Sequence, residues 1–204
     1  MKQHCAIISG GRFLELNGIE AADFVIACDK GVEYAARGGV LPDLLVGDFD
    51  SYHGALPEGV PVLELPVEKD DTDTMAAIRW AVGEGYSEIT MYCALGGRLD
   101  HLLGNLQAAI FAVGHGARVH IPDRENELFL FSKDTLVLPP RNGWSLSVLA
   151  MTDVCEDVSI CGAKYPLSHM RLTNRFPIGI SNEWQEDVKI TAGAGVLLVI
   201  SSKM

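Results

Sequence analysis

Six short apolar runs dominate the first 125 or so residues: CAIIS (5–9), FVIAC (24–28), LLVG (44–47), VPVLEL (60–65), EITMYC (88–93) and RVHIP (118–122). They are continuous rather than alternating in polarity, which is how strands read when both of their faces are covered. Two helical patterns lie between them. One is TDTMAAIRWAVGEG (72–85), closed by glycines; the other is LDHLLGNLQAAIFAVGHG (99–116), where Leu99, Leu102, Leu103, Leu106, Ile110 and Val113 recur at the spacing of one helix face. Strand and helix in alternation predict an open, mostly parallel α/β sheet.

After DRENE (123–127) the texture changes. LFLF, TLVLPP, WSLSVLAM, VSICG, FPIGISNEW, DVKITA and GVLLVISS are short pieces broken by Gly, Pro and Asn, several alternate apolar and polar residues, and none has helical periodicity. That pattern predicts antiparallel strands. The expected organisation is an α/β domain with a Rossmann-like sheet over residues 1–126, followed by an all-β sandwich domain over residues 127–204.

Composition removes several classes of function. The chain carries 27 acidic against 16 basic residues, a net charge of −11, and so lacks the Lys/Arg surface on which nucleic acid is held. No apolar stretch approaches the roughly 18 residues of a membrane span, and MKQHCAIISGGR has too few apolar residues before its Gly-Gly turn for a signal peptide. The expected compartment is the cytoplasm, with neither nucleic acid nor membrane as partner. Cys5, Cys28, Cys93, Cys155 and Cys161 are odd in number and contain no CxxC pair, which reads as reduced thiols rather than a disulfide framework or zinc site.

The acids are not scattered. Ligands of open α/β sheets bind beyond the carboxyl ends of the strands, and there stand Asp29, after FVIAC, and Asp48 and Asp50, after LLVG. Two residues apart on an extended segment, Asp48 and Asp50 share a side and suit one hard cation. EKDDTDT (68–74) leads into the first helix with Thr72 or Asp70 placed as N-cap; the free N–H groups there suit phosphate, Asp73 suits a metal and Lys69 meets phosphate charge. ALGGRLDHLLGN (94–105) sets a Gly-Gly turn, Arg98 and Asp100 at the start of the second helix, with the arginine able to fork onto phosphate. Each junction alone reads equally well as a turn and a cap. Three together predict a polyphosphate site with bound Mg2+.

ACDKG (27–31), GDFDS (47–51), KDDTD (69–73), GGRLDH (96–101), GAKYPLS (162–168) and SNEW (181–184) stand in the order and rough spacing of the motifs of thiamine pyrophosphokinases. The chain resembles that family over nearly its whole length. The resemblance implies an α/β catalytic domain joined to a C-terminal β-sandwich, and a homodimer with its active site at the subunit interface. It also implies transfer of the pyrophosphoryl group of ATP to the hydroxyl of thiamine, with release of AMP. Carried onto this chain, it makes Asp48, Asp50, Asp73, Arg98 and Asp100 catalytic, with Mg2+ on Asp48, Asp50, Asp73 and Asp100. Asp29, Thr72 and Arg98 then face the nucleotide, with Lys69 and Asp70, read from the helix start, on the same side, and Asp73, Ser181, Asn182 and Trp184 face thiamine. Lys30 departs from the pattern, standing where many members have glycine. Trp184 suits a cationic thiazolium ring, for which an aromatic face is the best partner; Trp80 and Trp144 lie in helix and strand patterns that read as core.

Two other readings share some of these features. One is a metal-dependent nucleotide or nucleotide-sugar transferase using Asp48-Phe49-Asp50 as its DxD. The other is a binding protein whose acids hold a cation without chemistry. Product identity separates them, since only pyrophosphoryl transfer yields AMP and a pyrophosphorylated alcohol.

Overall fold

The computed structural model describes residues 3–49, 54–65 and 71–204, and the chain divides into two compact units, Met1–Asp123 and Arg124–Met204. The first unit contains β1 (His4–Ile8), β2 (Phe24–Cys28), α1 (Gly31–Arg37), β3 (Leu44–Gly47), β4 (Val62–Glu64), α2 (Asp73–Gly83), β5 (Glu88–Tyr92), α3 (Leu99–Gly114) and β6 (Arg118–Pro122). Its strands lie in the order β6-β5-β1-β2-β3-β4, and every pairing is parallel. The order reverses at β1: the chain builds outward through β2, β3 and β4, then returns to the other side of β1 for β5 and β6. Such a reversal opens a crevice at the carboxyl edge of the sheet.

Both faces of the central strands are covered, which is why their sequences do not alternate. Ala6, Ile8, Val25, Ala27 and Leu45 share a core with Val32, Tyr34 and Ala35 of α1. Ile7, Ile26 and Val46, the intervening residues, are fully buried, and α2 lies against β1, β2 and β3. The short helix α1 has no sequence signal at its start, because its N-cap, Lys30, is in helical geometry and offers no side-chain cap. Gly31 is there for proximity: a Cβ would stand 2.0 Å from the Ile8 carbonyl oxygen.

The face of α3 turned inward is not the leucine face. Asn105, Ala108, Ala109, Ala112 and Val113 are buried, whereas Leu99 and Leu103 are 70% and 52% exposed. Alanines let the helix approach closely, and Asn105 Nδ2 donates to the Ala94 carbonyl at 2.8 Å. A helix rotated onto its leucines would lose that buried bond. Periodicity located the helix correctly; packing distance and one amide chose its face.

The second unit is all β: β7 (Asn126–Phe131), β8 (Asp134–Leu138), β9 (Trp144–Ala150), β10 (Val154–Ala163), β11 (Leu167–Thr173), β12 (Gly179–Asn182), β13 (Trp184–Ala192) and β14 (Leu197–Lys203). Antiparallel pairs arrange these strands in the orders β12-β9-β14-β7 and β11-β10-β13-β8. Phe131, Leu146, Val148 and Val199 of the first set and Leu136, Val158, Ile160 and Ile190 of the second meet in one core. Strand β11 went unread in the sequence because it is mostly exposed and carries no apolar alternation. Among the described residues no helix is long and apolar enough to cross a membrane.

All five cysteines are free thiols, and only Cys161 is exposed. Burial pushes the Cys5 thiol up to about 12 and raises those of Cys93 and Cys155, so these remain protonated and unreactive near neutrality. Brief alkylation of the native protein is expected to give one adduct, on Cys161, by peptide mass mapping. Rapid labelling of Cys5 or Cys155 would contradict the burial that holds the two cores.

Candidate active site

Two contacts fix the start of α2 at the carboxyl edge of the sheet. The buried hydroxyls of Ser9, just past β1, and Thr74 stand 3.2 Å apart, and the Cys28 thiol at the end of β2 meets the Asp73 carbonyl at 3.8 Å. Thr72 is the N-cap, its hydroxyl accepting from the Met75 N–H at 3.2 Å, so Asp73 opens the helix beside β1 and β2. Asp29 (φ 45°), Phe49 (φ 54°) and Cys93 (φ 54°), which follow β2, β3 and β5, all occupy the left-handed region. Backbone of that kind is held in place by its surroundings and gathers at functional sites.

Between these loops lies a cleft of about 830 Å3, lined by Asp29, Asp48, Asp73 and Arg98 together with Arg12 and Lys30. The three junctions singled out in the sequence thus converge on one space. Asp50, Lys69 and Asp70 lie outside the described residues. Asp100 is engaged elsewhere: its oxygens accept Arg98 Nε at 3.1 Å and Nη2 at 2.6 Å, and Oδ1 also accepts the His101 N–H at 3.0 Å. The Arg98 hydrogen bonds come first among the causes that lower the Asp100 carboxyl from 3.8 to about 2. For a depressed acid the pairing is present above the ordinary carboxylate range and is lost as pH falls from 3.8 toward about 2. Across neutral pH Asp100 is therefore ionised and able to accept the Arg98 fork. Both groups are exposed, so the pair adds little to stability.

Among the described residues no group of three or more His, Cys, Asp or Glu side chains is gathered into a metal cage. Mg2+ needs none. It is held by one or two carboxylates and the phosphates of its substrate, and Asp48 and Asp73, hard oxygen donors on one cleft, fit that demand.

In the second unit, the GAKYPLS and SNEW motifs meet each other. Asn182 accepts the N–H groups of Tyr165 and Glu183, both at 3.0 Å, and its Nδ2 donates to the Tyr165 carbonyl at 2.8 Å, while Lys164 Nζ lies 2.8 Å from a Glu183 oxygen. The Asn182 amide is thus engaged with backbone and ties β12 to the Tyr165 segment. Ser181 is exposed with φ 59°, and its N–H donates to Ser147 Oγ at 3.1 Å. Trp184 packs partly buried against the core, and among the described residues its indole N–H has no partner.

Gly10, Gly11 and Arg12, which are not among the site residues expected from the sequence, line the cleft beside Arg98. A signal was present: the tripeptide Gly-Gly-Arg at 10–12 recurs at 96–98.

A parallel sheet whose reversal point opens onto carboxylates and guanidinium groups, followed in the chain by an antiparallel β unit, defines a two-unit α/β protein with a polar ligand cleft. Residues 16–121 match the thiamin pyrophosphokinase catalytic domain, and residues 135–197 match the thiamin pyrophosphokinase vitamin B1 binding domain. The chain belongs to the thiamin pyrophosphokinase family, and its function is to transfer the pyrophosphoryl group of ATP to the hydroxyl of thiamine, giving thiamine diphosphate and AMP. The thiamine pyrophosphokinase of Bacillus subtilis (strain 168) is 28% identical over 184 residues, covering 87% of this chain and 86% of its own. The crystal structure of the Bacillus subtilis enzyme superposes with a TM-score of 0.86 at 25% identity, covering 99% of this chain and 100% of the other. The Candida albicans thiamin pyrophosphokinase, at 13% identity, shares the fold with a TM-score of 0.78, covering 99% of this chain and 90% of its own.

Proposed function

We propose that the cleft at the carboxyl edge of the first unit holds ATP with Mg2+ and delivers its pyrophosphoryl group, through the β-phosphorus, to thiamine. The observation that carries this reading is the convergence of Asp29, Asp48, Asp73 and Arg98 on one cleft at the reversal of a parallel sheet. We read that unit as a Rossmann-like catalytic domain and the second as a β-sandwich that receives thiamine. Asp48 and Asp73 would hold Mg2+, joined by Asp50 and, once Arg98 lets it go, by Asp100. The metal supplies neutralisation of phosphate charge.

Phosphoryl-group transfer is mostly positioning and electrostatics. The thiamine hydroxyl oxygen forms the new bond to the β-phosphorus as its proton is released to solvent, in line with the breaking bond to the bridging oxygen, which leaves with AMP. Arg98 and Lys69 stabilise the charge on the moving group, Asp29, Asp70 and Thr72 shape the nucleotide side, and Asp73 orients the attacking hydroxyl. Thiamine is met by Ser181 and the face of Trp184, and Asn182 acts by holding β12 to the Tyr165 segment. The working form is a cytoplasmic homodimer with the active site at the subunit interface, a reading supported by the family resemblance and by Phe176, Ile178 and Ile180, exposed beside the SNEW motif.

Purified protein with thiamine, ATP and Mg2+ is expected to release AMP and thiamine diphosphate in equal amounts, to stop with a chelator and to resume when Mg2+ is restored. Free phosphate as the product, or full turnover in excess chelator, would overturn this account of the cleft. Sedimentation of the active species at monomer mass would overturn the intersubunit site alone.

A further inference from the structure

The two Gly-Gly-Arg tripeptides, at 10–12 and 96–98, are brought side by side by the fold. β1 and β5 are parallel neighbours, in register at Ile8 and Tyr92, and one copy follows each strand at the reversal of the sheet. The Gly11 N–H donates to the Cys93 carbonyl at 2.8 Å, and the Arg12 N–H donates to the Leu95 carbonyl at 3.1 Å. A Cβ on Gly11 would stand 2.5 Å from the Cys93 carbonyl oxygen; one on Gly96, whose φ is +77°, would stand 3.0 Å from Arg12 Cβ and 3.2 Å from Arg12 Nε. The glycines let the two loops touch, and Arg12 lies against Gly96 at the cleft.

The two arginines differ in what they hold. Arg98 is forked onto Asp100 at 2.6 and 3.1 Å. Among the described residues the Arg12 guanidinium has neither an ion pair nor a hydrogen bond, and the Gly10 N–H has no acceptor. Lys30, a third cation lining the cleft among the described residues, stands with Nζ 5.5 Å from the centre of the Tyr34 ring. A cleft that already carries Asp29, Asp48 and Asp73 repels a polyanion unless cationic donors are available to it, and Arg12 presents a whole unengaged fork.

We propose that Arg12, together with the Gly10 N–H, is a nucleotide-binding element of this cleft that grips the polyphosphate chain of ATP. The inference rests on the reading of the cleft as the nucleotide site. A guanidinium makes paired, charge-assisted hydrogen bonds to phosphate that a lysine cannot reproduce, so the type of residue matters as well as its charge.

Titration calorimetry of the full-length protein with Mg2+–ATP and with adenosine, beside steady-state kinetics, tests it. Arg12→Ala is expected to weaken Mg2+–ATP binding by about ten-fold or more, leave adenosine binding and the thiamine KM within about two-fold, and be partly rescued in Arg12→Lys. Arg12→Gln, which keeps the stem against Gly96, gives the same answer should the alanine variant fail to fold. An unchanged ATP affinity in either variant, or equal weakening of ATP and adenosine, overturns the assignment of Arg12 while wild-type binding stands. A wild-type protein with no affinity for Mg2+–ATP overturns the reading of the cleft itself.

Discussion

Asp48→Ala is expected to reduce kcat by about 100- to 1,000-fold, the effect of losing several kcal/mol of charge stabilisation at the reacting phosphates. Asp48 follows β3 at the carboxyl edge and lines the same cleft as Asp73 and Arg98. Mg2+ is held by only one or two carboxylates beside its substrate's phosphates, so the loss of Asp48 removes a large share of the metal binding proposed for this cleft. The side chain is only partly buried and belongs to neither core, so melting should move little, within about 0.5 kcal/mol of stability. The check is single-turnover formation of thiamine diphosphate beside a thermal melt. Wild-type turnover in a folded Asp48→Ala protein would remove this residue from the chemistry; a collapsed melt would show that its role is structural.

Gly31→Ala should produce the largest loss of stability from the addition of one methyl group. The new carbon would lie 2.0 Å from the Ile8 carbonyl oxygen and 2.8 Å from its carbon, and both are backbone atoms of β1, which sits at the centre of the sheet. Neither can rotate away, so α1 must move off the strand. Overpacking of this kind costs about 1–3 kcal/mol and sometimes more, and the rigidity of a backbone neighbour puts this case at about 3 kcal/mol. For a chain of this size that is a fall of roughly 6–12 °C in Tm. The same shift displaces Asp29 and Lys30, which precede the helix and line the cleft, so activity should fall even at temperatures where the variant remains folded. A melt within 2 °C of wild type would mean that α1 can slide without consequence, and that the close approach to Ile8 is not what holds it.

Much of this molecule is legible one residue at a time. Continuous apolar runs identified the parallel strands because burial on both faces removes any need for polar alternation, and LLVG, FVIAC and RVHIP fall on β3, β2 and β6 to the residue. Thr72 was readable as a cap because a hydroxyl before a helix answers a local need, an orphan N–H within three residues. Acids after strands pointed to the cleft for the same reason: the end of a strand is a local feature, and the ligand side of an open sheet follows from chain direction.

What escaped depends on atoms distant in sequence. The choice between the leucine and alanine faces of α3 turned on Ala94 accepting from Asn105, and α1 exists because a glycine fits against Ile8. Arg98 and Asp100, only two residues apart, are an exception: both were readable as functional groups, and it is the local turn into α3 that brings them onto each other. The relation between Gly-Gly-Arg at 10–12 and its copy at 96–98 is the clearest instance. By itself the sequence determined that both loops could turn tightly and carry a guanidinium, because glycine and arginine have those properties anywhere. That the loops touch, with Arg12 laid against Gly96, was decided by the pairing of β1 with β5 across roughly eighty intervening residues, a contact that no local pattern encodes.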